Sequence, residues 1–431
     1  MAIWSTSAND EGFNARLHEI CFKTNLDYDN QLLPWDIIAL ISHGRMLAKC
    51  ALISNADAEL IETHLQAMKI EAERGVLKMT PDMEDCHSLI EDELIRRAGD
   101  AGKQLYMARS RNDQVVSATR LFGKDRLLKI KATLKSFIEE LLDFSARYET
   151  TPMPGYTHTQ RAMPSSVGLW ASSFVEILLN QKESIDAAIA LNDVNVLGSA
   201  AGYGTDFPID RDWVTEDLGL AKTQVNSLSA QLSRGQVECQ TLQSLWGTMF
   251  VINRLANDLV WMTSAEFDFF DVAKSCTTGS SIMPNKKNLD PCEIIRSRYH
   301  LYTGRISQAQ SVISNLFSGY NSDYQETKGV FMEGLTLVEE SLEAMGIIIS
   351  NTTVKKEQLL SFFSTDIYAT DLVNRQVIEG KTFRDAYIEV KKSLDSVELE
   401  DPHENIKRKT HVGAPGNPGI SVMRERLANF I

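Results

Sequence analysis

Proline is scarce and clustered in this chain, and its placement constrains the fold more than any other feature. None of the 11 prolines falls in residues 209–283 or 292–401. A proline in a helix interior costs about 3 kcal/mol, so these tracts permit long helices. The apolar pattern then argues for long helices. Leu127, Ile130, Leu134, Phe137, Leu141 and Phe144 step by threes and fours, as do Leu242, Leu245, Met249, Ile252, Ala256 and Leu259. Each set is one apolar helix face over several turns. Lys129, Lys131, Lys135, Glu139, Glu140 and Asp143 interleave the first set as a solvated face. Faces this long call for cover beyond one chain, and symmetric packing of helices between copies is the expected cover.

Strand-like alternation is rare, and Val194-Asn195-Val196-Leu197 is too short to decide. Neither a G-x-G-x-x-G after a strand nor a phosphate-binding G-x-x-x-x-G-K-S occurs, so nucleotide-binding folds have no support. The 431 residues suffice for two or three domains. The expectation is a mainly α protein: an N-terminal helical domain over 1–113, a central helical bundle over 114–360 and a small helical C-terminal domain over 361–431. Residues 402–419 read as a loop closing the last unit.

Charge narrows the function. The chain carries 44 basic and 58 acidic residues, a net charge of −14, which repels nucleic acid and anionic membranes at long range. No run of about 18 apolar residues is present to span a membrane. Met1 to Phe13 lacks the basic start and apolar core of a secretory signal. The six cysteines, Cys21, Cys50, Cys86, Cys239, Cys276 and Cys292, form no C-x-x-C pair. They read as reduced thiols of a cytoplasmic protein, with no spacing that supports structural zinc. An anionic substrate would require positive charge concentrated at the site.

Four polar segments offer chemistry. Gly279 to Asn288 (GSSIMPNKKN) has the composition of a mobile loop. It sets the hydroxyls of Ser280 and Ser281, the ammonium of Lys286 and the amide of Asn288 close together; taken alone it is equally a solvated surface loop. Pro154-Gly155-Tyr156-Thr157-His158 places a hydroxyl beside an imidazole after a Pro-Gly turn, where the histidine exchanges protons near neutral pH or caps a following helix. Arg109-Ser110-Arg111-Asn112-Asp113-Gln114 holds forked donors for carboxylates and cap residues for a helix beginning near Val115. His87, in Glu84-Asp85-Cys86-His87, sits at an expected helix start upstream. Tyr320 to Lys328, including Gln325, breaks a helical tract and reads on its own as a solvated turn.

Taken together and in this order, the segments resemble the fumarase/aspartase superfamily and, within it, the argininosuccinate lyases. Its three blocks match Glu84 to Gln114, Pro154 to Pro164 and Thr278 to Pro291. The runs SRNDQ from Ser110 and PGYTH from Pro154, with Tyr320 to Lys328 and Ala369-Thr370-Asp371-Leu372, carry the narrower likeness. Several positions depart from the pattern. Ile3-Trp4-Ser5-Thr6 stands for Trp-Gly-Gly-Arg-Phe, Leu40 for a serine, Ala108 for a glycine, Val196 for a proline, Gly235 for an aspartate after Arg234, and Ser322 for an arginine.

The resemblance implies a three-domain fold, a homotetramer whose sites each draw on three subunits, and elimination of an amine from a succinyl unit to give fumarate. It implies Ser280 as base, and Lys286 and Asn288 as the cradle for the doubly charged carboxylate. His158 would serve on the leaving side. Ser281, a substrate-binding neighbour of Ser280, would be its less favoured substitute as base. Ser110, Arg111, Asn112 and Thr157 would bind the fumarate portion; Tyr320, Gln325 and Lys328 the arginine portion; and His87 would support the site. Arg111, Lys286 and Lys328 would supply the local positive charge. Neither metal nor organic cofactor is needed for such proton chemistry. Two alternatives stay open: a lyase for another N-substituted aspartate, and a non-catalytic crystallin-like protein on the same scaffold.

Overall fold

The long apolar repeats form long helices in the computed structural model, which describes residues 16–17, 20, 25–80, 83–394 and 399–430. Ile3 to Thr6, the rest of Met1 to Phe13 and Cys21 lie outside the described residues. The chain is mainly α. It begins with α1 (Leu26–Lys49), α2 (Asn55–Glu73), α3 (Cys86–Ala98), α4 (Asp100–Gln104) and the 37-residue α5 (Arg111–Arg147). A hairpin of β1 (Pro152–Thr157) and β2 (Gln160–Ser166) leads to α6 (Val167–Leu179) and α7 (Lys182–Asn192). Next come β3 (Val194–Asn195), α8 (Arg211–Asp217), β4 (Lys222–Thr223), α9 (Ser227–Leu232) and the 27-residue α10 (Gln236–Met262). After β5 (Phe270–Val272) follow α11 (Asp290–Val312), α12 (Gln325–Ser350) and β6 (Thr352–Val354). The remaining helices are α13 (Lys356–Ser361), α14 (Ala369–Ile378), α15 (Phe383–Ser393), α16 (Pro402–Lys407) and α17 (Ile420–Ala428). β1 and β2 pair antiparallel, β3 and β4 parallel, and β5 and β6 antiparallel.

Local chemistry fixes many of these ends. Asp85 accepts the Ser88 N–H at 2.8 Å to start α3, and Ser166 accepts the Leu169 N–H at 3.2 Å to start α6. The stretch expected to be loop from residue 402 is instead partly helical. Asp401 accepts the His403 N–H at 2.9 Å, and Pro402 at the first turn loses no hydrogen bond by lacking an N–H, so α16 forms. A further helix, α17, follows it.

Two compact units divide the chain. One comprises Met1–Lys129, Ile185–Ser244 and Thr303–Thr336; the other Ile130–Ser184, Leu245–Tyr302 and Leu337–Ile431. Both are assembled from three separate stretches, and the division falls within α5, α7, α10, α11 and α12. In the first unit Leu33, Ile37, Leu40, Leu47, Ile61, Leu65 and Leu94 anchor an apolar core under α1 to α3. In the second, Phe144, Trp170, Phe174 and Phe270 meet edge to face or tilted, and Trp170 Nε1 donates to Asp258 at 2.9 Å.

The expectation that the two apolar faces need cover from other chains is overturned. Leu127, Ile130, Leu134, Phe137, Leu141 and Phe144 are all at most 2% exposed within the single chain, and every residue of the set from Leu242 to Leu259 is at 0%. Periodicity identifies a face that must be covered; it does not identify what covers it.

Candidate active site

The first unit holds the Arg109 to Gln114 segment. The helix starts at Arg111, earlier than Val115, and its entry is a reciprocal cap. Ser110 Oγ accepts the Asn112 N–H at 3.3 Å while the Asp113 carboxylate accepts the Ser110 N–H at 2.9 Å. Asp113 is buried and also receives the N–H groups of Gly198 at 3.0 Å and Ala200 at 2.8 Å. Burial raises its pKa to about 6, against the lowering effect of those backbone donors. Arg111 lies 2.8 Å from Glu84 and 3.3 Å from Asp85. Burial disfavours its charge, but these two carboxylates outweigh burial and hold the guanidinium charged.

Beside it, His87 is buried, and its Nδ1 meets Asp36 Oδ2 at 2.6 Å. Burial alone would lower the imidazole pKa; the Asp36 carboxylate overrides that and raises it. Gln114 Nε2 donates to both Asp36 oxygens, at 2.8 and 2.9 Å, and Arg109 donates to Gln114. Asp36, Asp113 and Gln114 therefore set the geometry around the arginines and His87. Nothing local in the sequence marks these three as site residues, since Asp36 is 51 residues from His87 and 78 from Gln114.

The Tyr320 segment supplies a second cluster in the same unit. Gln325 Nε2 donates to the Tyr320 hydroxyl at 3.3 Å, and Arg234 Nη2 donates to Gln325 at 3.2 Å. Arg234 is buried, with its guanidinium 5.5 Å from the Tyr320 ring centroid and 5.8 Å from that of Tyr324. Among the described residues its Nη1 has no hydrogen-bond partner. In the sequence Arg234 is marked only as a cation beside Gly235. Lys328 is buried and paired with Asp29. The break in the helical tract is shorter than expected, because α12 already starts at Gln325.

The second unit holds the other two segments. Pro154 and Gly155 do not form a turn: they lie inside β1, with a bulge between Gly155 and Tyr156. The turn falls at His158 and Thr159, with φ of 52° and 61°. Thr157 pairs with Gln160 across this two-residue tip, which takes the left-handed backbone that hairpin turns favour. Strain at non-glycine residues of this kind concentrates at functional positions. Thr157 and His158 are exposed. Tyr156 packs edge-on against Phe267, and Arg161 donates to the Phe362 carbonyl at 2.9 Å, fixing the base of the hairpin.

The serine segment is a loop, as its composition demands. Thr278 and Asn288 close it with paired backbone hydrogen bonds of 3.0 and 2.8 Å. Ser280 Oγ accepts the N–H of Met283 at 3.1 Å and of Ile282 at 3.4 Å. Two N–H groups aimed at one hydroxyl oxygen favour its anionic form. Asn288 Nδ2 donates to the Gly279 carbonyl at 3.4 Å. Lys287 pairs with Asp271 at 2.7 Å, whereas Lys286 is exposed and, among the described residues, has no ion pair. Of the three expected cations, Arg111 and Lys328 are neutralised by carboxylates and Lys286 is not. Ser281 is exposed. Among the described residues, no hydrogen bond joins His158 to this loop.

Local structure accounts for most departures from the expected pattern. Leu40 is fully buried in the apolar core. Val196 packs with Val115, Val116 and Ala230. Gly235 has φ of 76°, which glycine tolerates, and a Cβ there would strike Ile313. Ala108 has φ of 58°, so alanine occupies a left-handed position. Ser322 is exposed.

The chain is mainly helical and closes a polar loop in which a serine oxygen receives two backbone N–H groups, and the profile of a family described as lyase matches residues 9–300. An argininosuccinate lyase of Sorangium cellulosum is 39% identical over 399 residues, covering 93% of both chains. One from Xanthomonas campestris pv. campestris is 34% identical over 399 residues, covering 92% of each. The chain belongs to the argininosuccinate lyase family, among the carbon–nitrogen lyases. A crystal structure of an EDDS lyase with formate superposes with a TM-score of 0.81 at 20% identity, covering 97% of this chain and 90% of that one; at that identity the likeness speaks for the fold alone.

Proposed function

We propose that this chain splits argininosuccinate reversibly into arginine and fumarate. The observation that carries the chemistry is the Ser280 hydroxyl, which receives two backbone N–H groups on a loop shared with Lys286, a cation with no ion pair among the described residues. The proton to be removed lies next to a carboxylate and is weakly acidic. A serine takes it only as an alkoxide. The Ile282 and Met283 amides and the Lys286 ammonium favour that alkoxide. Loss of the proton puts a second negative charge on the adjoining carboxylate, which Lys286 and Asn288 cradle. His158 serves the leaving nitrogen on the opposite side. Ser110, Arg111, Asn112 and Thr157 hold the fumarate portion, Ser281 contacts substrate beside Ser280, and His87, held by Asp36, supports the site. Tyr320, Gln325 and Lys328 take the arginine portion.

The same reading makes the protein a cytoplasmic homotetramer with sites shared among three subunits, divided into domains at 1–113, 114–360 and 361–431. In support, the five described cysteines are free. Among the described residues, no helix is long and apolar enough to cross a membrane. Large apolar side chains stay exposed on α10 and α11: Trp246, Trp261, Ile294 and Leu301 are 43–60% accessible, an area suited to other copies of the chain.

The test is to mix purified protein with argininosuccinate and follow fumarate by its ultraviolet absorbance. Steady formation of fumarate and arginine in equal amounts is expected. No fumarate from argininosuccinate, but fumarate from another N-substituted aspartate, would reassign the amine half. None from either would leave a non-catalytic member of the family.

A further inference from the structure

Asp36 on α1 meets the first turn of α3 at Cys86 and His87. Cys86 Sγ lies 3.8 Å from His87 Nδ1 and 3.9 Å from Asp36 Oδ2, and those two atoms are 2.6 Å apart. The three residues are 0%, 1% and 6% exposed, in chain order. The elimination proposed above gives the thiol no task. A thiol, an imidazole nitrogen and a carboxylate oxygen converging from three sides form the donor set of a borderline-soft divalent ion.

We propose that Asp36, Cys86 and His87 form a binding site for zinc or a similar transition-metal ion. Bond lengths of about 2.0–2.3 Å in a tetrahedral shell place ligand atoms about 3.4–3.6 Å from one another. The two sulfur separations already lie within a few tenths of an ångström of this. Only the His87–Asp36 contact must open, by about 0.8 Å on the same geometry. Water takes the fourth position. One sulfur and one nitrogen ligand disfavour magnesium and calcium, which take oxygen.

The surroundings suit the role. Gln114 donates to Asp36 Oδ1 at 2.8 Å and is held by Arg109, so the carboxylate keeps an outer-shell partner when Oδ2 turns to the ion. A thiolate and a carboxylate balance the two positive charges, so the buried centre is neutral. Binding expels the Cys86 proton to solvent. It also excludes the His87–Asp36 hydrogen bond, so the ion and the present orientation of the His87 ring compete. The ion takes no part in the elimination, and the site is tested without reference to turnover.

The experiment titrates the full, reduced protein with cobalt(II) and records its absorption. The expected result is a thiolate-to-cobalt charge-transfer band and the visible bands of a four-coordinate ion, saturating at one ion per chain and abolished by zinc. Cys86→Ala should lose the charge-transfer band and weaken binding by about 100-fold or more. Cys86→Ser, closer in size, gives the same reading should the alanine variant fold poorly. X-ray absorption of the zinc-loaded wild type needs no variant: it should show one sulfur at about 2.3 Å with lighter ligands completing the shell. Absence of the charge-transfer band in wild type, its persistence in a folded Cys86 variant, or a zinc shell with no sulfur or more than one would each overturn the assignment.

Discussion

Asp113 Oδ2 receives the Ala200 N–H at 2.8 Å, tying the first turn of α5 to the tight loop that follows β3. The same carboxylate receives N–H groups from Gly198 and Ser110, so it orders the segment carrying Ser110, Arg111 and Asn112.

Replacing Asp113 with asparagine turns one accepting oxygen into a donor facing N–H groups. Asp113→Asn should cost about 2–3 kcal/mol near neutral pH. The wild-type carboxyl has a folded pKa of about 6, above the unfolded value. Its titration therefore favours the folded state fully below about pH 4, and this contribution is lost as pH rises through 6. The stability gap between wild type and variant should narrow over that window and then level off. Denaturant melts at half-unit pH steps check this; a gap that widens with rising pH would refute the role given to Asp113.

His43 should show the opposite sign. It is fully buried, and its Nε2 meets the Met107 carbonyl at 2.8 Å. Burial, aided by the Arg109 charge, lowers its pKa to about 4. The unfolded chain binds a proton near pH 6.5 that the folded chain refuses. Stability from this residue is present above pH 6.5 and is lost, by up to about 3 kcal/mol, as pH falls to 4. His43→Gln keeps a donor for Met107 and should remove that share of the acid sensitivity. An unchanged pH profile in the variant would count against a neutral native His43.

Ala108 occupies a left-handed backbone position, at φ of 58°. Relieving that conformation gains about 1–2 kcal/mol, and the greater freedom of glycine in the unfolded chain offsets about 0.4–1 kcal/mol. Ala108→Gly should therefore leave stability unchanged or raise it by about 1 kcal/mol, read as a small rise in Tm. A clear drop in Tm would mean that packing of the methyl group, which is 7% exposed at the residue level, outweighs the backbone.

The proposed shared site makes a stricter demand. Ser280→Ala should lower turnover by about 10²–10⁴-fold, the usual contribution of a general base, with Tm unchanged because, among the described residues, the hydroxyl bonds only to its own loop. His158→Asn should also be nearly inactive. If the two residues reach one site from different subunits, dissociating and reassociating the two variants together should restore part of the activity, since some hybrid sites hold both native residues. Verified mixed tetramers that stay as inactive as their parents would require His158 and Ser280 to serve one site from the same chain.

The residues that determined the answer locally were legible in the sequence. Proline-free tracts with apolar steps of three and four yielded α5 and α10, because a helix is built from neighbours within four residues. The polar composition of Gly279 to Asn288 gave a loop for the same reason, and the SRNDQ run announced a helix start. What the sequence left open was pairing across the chain. The hairpin presenting His158 needs β2 to hydrogen-bond to β1, which moves the turn from Pro154-Gly155 to His158-Thr159. Cover for the apolar faces came from within the chain, although their periodicity fitted an outside partner equally well. Lys328 reads as a free cation until the fold brings it to Asp29, 299 residues away. Arg234 reaches Gln325 and His87 reaches Asp36 in the same way. Charge neutralisation and side-chain orientation depend on groups brought close by packing, and only the tertiary structure decides which groups those are.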